Sequence, residues 1–184
     1  MWAGIYSVGG DHIAAFLEAT ANYSSNIIDP LSHIVPATIP VGRSPPAEIG
    51  AAILFYDSET NSAPECFKPF FDIPSIASTW KLQALPEFTD ETGTAVVDHI
   101  NNVFVAGTTV GTTYAELLKG IQLTHDIFYE RLPLLYTQIP AANISIMEIV
   151  FQPIGKLWIQ KTAEAGGNAL GLDPKKIVSP KFIL

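Results

Sequence analysis

Residues 113–133 constrain the fold most. Thr113 and Glu116 stand at the spacing of a capping box, and Tyr114, Leu117, Leu118, Ile121, His125, Phe128 and Leu132 recur on one helical face until Pro133, which is placed to stop the run. A helix with one apolar stripe must bury that stripe against another element. The rest of the chain is richer in strand-like than in helix-like runs, so the partner expected is a sheet.

Residues 2–8 alternate Trp2, Gly4 and Tyr6 against Ala3, Ile5 and Ser7, which suits a strand using both faces. Asp11 is placed to cap a helix reaching about Tyr23. Residues 31–37 and 49–56 read as the strands of a hairpin, whose long tip carries prolines that cannot donate ladder hydrogen bonds. Pro64 suits the first turn of a helix through Phe71. Strands are then expected over 79–85, 102–109 and 143–152, a helical turn over 86–92, and a last helix over 156–165 that Gly166 is placed to end. The order β-α-β-β-α-β-β-α-β-α implies an α+β fold, with an antiparallel or mixed β-sheet, helices packed on one face and a hint of ferredoxin-like halves. The other face is then open, a natural floor for a ligand.

Composition narrows the function. With 184 residues the chain reads as a single domain, 1–184. Ten Lys and Arg against a net charge of −8 leave no basic patch for nucleic acid. No run approaches the ~20 apolar residues that span a bilayer, and the N-terminus lacks the charge and apolar segment of a secretory signal. The sequons at Asn22 and Asn143 fit a secreted parent protein but leave localisation open. A lone Cys66 permits no internal disulfide, and the four histidines show no metal-ligand spacing. His125, on the apolar stripe, reads as a core histidine. Only 15% of residues are charged, against ~25% typically, which fits either a large core or a face covered by another domain or chain.

Phe151-Gln152-Pro153, the helix after it and the turn Gly166-Gly167-Asn168-Ala169-Leu170-Gly171-Leu172-Asp173-Pro174 follow the helix of 114–132. Together with the opening strand, Asp29-Pro30, the segment 71–76 and the stretch 85–92, their order resembles the substrate domain of the berberine-bridge-enzyme-like family, FAD-linked oxidases of the PCMH type, in its fungal branch. The resemblance implies an oxidoreductase in which a separate N-terminal domain holds FAD. The domain seen here would roof the flavin ring, select a small-molecule substrate, and present an alcohol or amine carbon for hydride transfer to flavin. The Gly-rich flavin-binding segments, the flavin-attaching histidine and the family's C-terminal tyrosine and asparagine segment are absent from these residues, so the FAD-binding domain is expected to precede residue 1. This chain is expected neither to bind FAD nor to turn over substrate alone. Ile154-Gly155-Lys156 stands where relatives often carry Tyr-Gly-Gly, which leaves the substrate class open.

Strand alternation and the resemblance together nominate substrate contacts. Met147, Ile149 and Phe151 share one face, Glu148 and Gln152 the other. The resemblance sets the residue before Pro153 beside the reacting substrate, so Gln152 is the first candidate and Glu148 the second. Gln83 shares a face with Lys81, which marks either the ligand face or a lysine-protected edge strand. Tyr6 is a candidate wall aromatic or a core residue. Asn168 either touches substrate or holds its turn. No residue is nominated as the catalytic base. Two other classes fit the same residues: a stand-alone ferredoxin-like module that dimerises through its exposed sheet face and binds a small ligand, or a truncated, non-catalytic remnant.

Overall fold

The computed structural model describes the chain apart from residues 27–28, 43–46, 94–102, 104, 141–142, 168–177 and 184, with 178–183 described by their backbone alone. In chain order the elements are β1 (Trp2–Val8), α1 (Ile13–Ser25), β2 (Ser32–Val41), β3 (Ala47–Tyr56), α2 (Lys68–Phe71), β4 (Ser75–Ser78), β5 (Lys81–Leu82), α3 (Leu85–Gly93), β6 (Ala106–Val110), α4 (Tyr114–Gln138), β7 (Ile149–Ile154), α5 (Lys156–Glu164) and β8 (Val178–Ile183). The strands form one sheet in the order β4-β1-β3-β2-β7-β8-β6, with β5 joining the outer edge of β1. Every pairing among the described residues is antiparallel, so the α+β expectation holds.

The strand order exposes an internal repeat. β1-α1-β2-β3-α2-β4 with β4-β1-β3-β2 across the sheet is the ferredoxin-like arrangement. β6-α4-β7-α5-β8, with β8 lying between β6 and β7, repeats its first three strands in mirror order. The halves meet where β2 pairs with β7, a seam of two register pairs, Ala37↔Val150 and Thr38↔Ile149. Pro36 and Pro40, which have no N–H to give, bracket it.

Several local expectations change for identifiable reasons. β2 runs on through Pro36 and Pro40 to Val41 because its whole length pairs with β3, from Ser32↔Tyr56 to Val41↔Ala47. Asp11 does not cap α1: residues 10–12 form a short 3-10 turn with no side-chain cap, pressed against β3 where a Cβ on Gly10 would meet the Glu48 carbonyl at 2.8 Å. In α4 the capping box forms as read, Glu116 N–H donating to Thr113 Oγ1 at 3.2 Å and Thr113 N–H to the Glu116 carboxylate at 3.2 Å. Pro133, however, lies inside α4 rather than ending it. A proline removes one backbone donor, here the one owed to the Tyr129 carbonyl, and burial of Leu132 next to it holds the helix on course. β8, not anticipated from sequence, carries an extra residue at Pro180 that its pairings with both neighbours skip, as befits a residue without a donor.

α1, α2 and α4 pack on one face of the sheet, and α1 and α4 also pack on each other. Val8 from β1, Phe16 from α1, Leu54 from β3, Phe70 from α2, Ile121 from α4 and Phe151 from β7 are fully buried there. Phe16 and Phe70 meet edge-on with centroids 5.7 Å apart. Burying each such aromatic contributes about 1.5–3 kcal/mol relative to exposure. The expected one-sided helical layer therefore holds for these three helices. The short helices α3 and α5 reach the margins of the opposite face, through Phe88 against Phe55 at 6.4 Å and Ile159 against Ile154.

Candidate functional site

The face opposite the long helices is a trough. Pleat alternation puts Ile5, Ser7, Val35, Ala37, Ala51, Ile53, Phe55, Val150 and Gln152 on that side, and register aligns Ile5 with Ile53, and Ile53 with Val35. The apolar members of this floor are half-buried or buried by one another, while α3 and α5 stand at its margins. The floor continues across the seam from Ala37 to Val150.

Gln152 is the polar group of the β7 side of this floor. Its neighbours Phe151 and Pro153 are buried on the covered side, and Gln152 itself is half-buried, in register with Lys181 of β8. A half-buried amide in an apolar floor carries both donor and acceptor capacity at low local dielectric, the combination that orients a small polar group. Glu148 lies one residue before β7 begins, so strand alternation does not assign it to a face. It is half-buried, and burial holds its carboxyl above the usual carboxylate range. A desolvated carboxyl holds its proton to higher pH than an exposed one.

The remaining candidates have other positions. Tyr6 belongs to the covered core: its ring meets Phe71 edge-on at 5.5 Å and its hydroxyl donates to the Ile73 carbonyl at 2.7 Å. Gln83 is a buried stitch, its Nε2 donating to the Ala3 carbonyl at 3.0 Å and to Glu91 at 3.2 Å, so it anchors α3 beside β1. Lys81 is exposed on the edge strand β5, the lysine-protected edge that was one of its two readings. Asn168 lies outside the described residues. Gly166 and Gly167 end α5 with φ of +105° and +103°, the left-handed turn expected there.

At one end of the trough a cleft of about 520 Å³ opens between α5 and the β2–β3 pair, lined by His33, Phe55, Asp57, Leu157, Trp158 and Lys161. Trp158 is 56% exposed, and partial enclosure of the His33 ring, in a residue exposed overall, holds its pKa below the ordinary value. Sequence reasoning passed over these residues. His33 and Phe55 are paired in register on the open face, a relation invisible until the hairpin register is known. Trp158 could have been found from its position next to Ile159, since neighbours on a short amphipathic helix turn to different sides.

No family description matches this chain, and neither a curated protein nor a solved structure resembles it significantly. Function therefore rests on geometry. Among the described residues no group of three or more His, Cys, Asp or Glu could hold a metal ion, and no helix is long and apolar enough to cross a membrane.

Proposed function

We propose that this chain is the substrate-facing domain of an FAD-dependent oxidoreductase, whose trough closes over a flavin presented by a separate domain. The observation that supports the reading is the trough itself: an antiparallel floor, helices behind it, and the half-buried amide of Gln152 set at the β7 side of a mostly apolar surface. A mostly apolar floor suits one face of an isoalloxazine ring. The partner domain would hold the phosphates. Bound flavin supplies the hydride acceptor; the residues of this chain bind and orient. Gln152 hydrogen-bonds the alcohol or amine group of a small-molecule substrate, the floor excludes water, and a base of the partner domain takes the proton released as the substrate carbon is oxidised.

The ring alone tests this. Lumiflavin, which lacks ribityl and phosphate groups, should bind the purified chain saturably with quenching of its fluorescence, and Gln152→Ala should weaken that binding without lowering the melting temperature. Absence of saturable quenching, with the chain instead pairing through its open face into a stable dimer, would replace this reading with that of a stand-alone ligand-binding module.

A further inference from the structure

The two halves of the sheet share only two backbone register pairs, so something else must set how firmly they are joined. Among the described residues a charged contact crosses between them on the covered side. His125, from α4 of the second half, places Nε2 2.8 Å from Glu48 Oε2 at the start of β3 of the first half. Its Nδ1 lies 3.2 Å from Asp126 Oδ1. Ionised carboxylate oxygens only accept, and a neutral imidazole has a single N–H, so both contacts are satisfied together only when the ring carries two protons. The ring is enclosed, with 11% of its side chain exposed and 21% of that of Glu48.

The surroundings reinforce the junction. Tyr129 stacks on His125 with centroids 4.5 Å apart. Its hydroxyl and that of Thr38, a seam residue with no exposed surface, are both buried without a hydrogen bond of normal geometry. One turn further on, Pro133 deprives the Tyr129 carbonyl of its helical donor, so α4 is intrinsically weakest just past the contact. Among the described residues the charged groups that face the ring are Glu48 and Asp126. β6 and β7 carry no charged residue, and the acid of α1, Glu18, acts on Tyr114 about three turns away.

We propose that His125 and Glu48 form an acid-engaged clasp between the two halves of the sheet, tight while the imidazole carries both protons and loosened when it loses one. Burial by itself pushes the imidazolium down. The hydrogen bonds and charges of Glu48 and Asp126 outweigh that, and the pKa of His125 lies above its ordinary value. A group raised in the folded state adds stability fully present below its unfolded pKa and lost as pH rises through the folded one. The clasp is therefore complete below about pH 6.5 and is released as pH rises through the folded-state midpoint, which lies above that value.

The test follows the His125 Hε1 resonance with pH, and measures amide protection factors for residues 37–39 and 149–151, corrected for intrinsic exchange, at about pH 5.5 and about pH 8.5. The wild-type chain should titrate His125 above the free histidine value and lose seam protection severalfold at the higher pH. Glu48→Gln should lower the midpoint and remove the pH dependence, whereas Asp126→Asn, whose carboxylate is mostly exposed, should do less. Equal seam protection at both pH values in the wild type overturns the proposal. So does an unchanged midpoint in Glu48→Gln. If that variant fails to fold, a wild-type midpoint at or below about 6.5 is decisive against the clasp by itself.

Discussion

Gly4→Ala is the sharpest probe of how the outer edge of the sheet is assembled on its covered side. The chain between β4 and β5 bulges over β1 at this position, and a Cβ on Gly4 would lie 2.6 Å from Thr79 C, Trp80 Cα and Trp80 N. All three are backbone atoms, so no rotamer change relieves the clash. Moving that segment strains the Ile5 N–H to Thr79 Oγ1 bond of 2.8 Å and the Thr79 N–H to Ile5 carbonyl bond of 2.9 Å. It also disturbs the contact of the Thr79 hydroxyl with Glu91, which ties α3 to the trough margin. Overpacking of this kind costs about 1–3 kcal/mol. An unstrained Gly→Ala change would instead gain about 0.4–1 kcal/mol, so even the sign discriminates. For a loss of about 2 kcal/mol in a chain of this size the melting temperature falls by roughly 4–8 °C. Gly93→Ala is the internal comparison: it stands at the end of α3 with a φ outside the left-handed region and nothing within 4 Å of an added Cβ, so no such cost is expected there. Urea denaturation with an unchanged m-value reads both. A Gly4→Ala protein as stable as wild type would refute the crossing.

Two further outcomes follow from buried groups. Glu148 has a raised carboxyl pKa in the fold, so the stability it contributes is present at low pH and lost as pH rises past the ordinary carboxyl range; Glu148→Gln should stabilise the chain at pH 7 and have little effect at about pH 3.5, and equal urea midpoint shifts at the two pH values would contradict this. Cys66 is half-buried, and burial pushes its thiol up to about 11, so a disulfide reagent at neutral pH should label it slowly in the folded chain and rapidly in urea; equal rates would mean the site is open.

Elements specified by local chemistry were legible in the sequence. The capping box of α4, the alternation of β1 and the left-handed glycines after α5 each follow from a few adjacent residues, and each appears as read. Features decided by distant partners were not. Local rules make Pro133 a stop because they know the lost hydrogen bond but not the anchoring of Leu132. β2 outran its expected end because β3 supplies partners as far as Ala47. Within the site, Gln152 fell on the open face because parity counted from Phe151 survives the change in strand boundaries. Tyr6 and Gln83 could not be sorted from sequence, since their roles depend on the Ile73 and Ala3 carbonyls, far away along the chain. His125 was recognised as a core histidine, but its partner Glu48 is 77 positions away and no spacing rule connects them.

The seam between β2 and β7 also bears on how this protein comes apart. Most of the buried aromatic side chains, Phe16, Phe67 and Phe70 among them, belong to the first half, whereas the second contributes chiefly Ile121, Ile149 and Phe151 to the same core. Under mild denaturant β6, β7 and β8 should detach as one cooperative unit while β1 to β4 persist, leaving a partly unfolded species whose newly bared strand edge is β2.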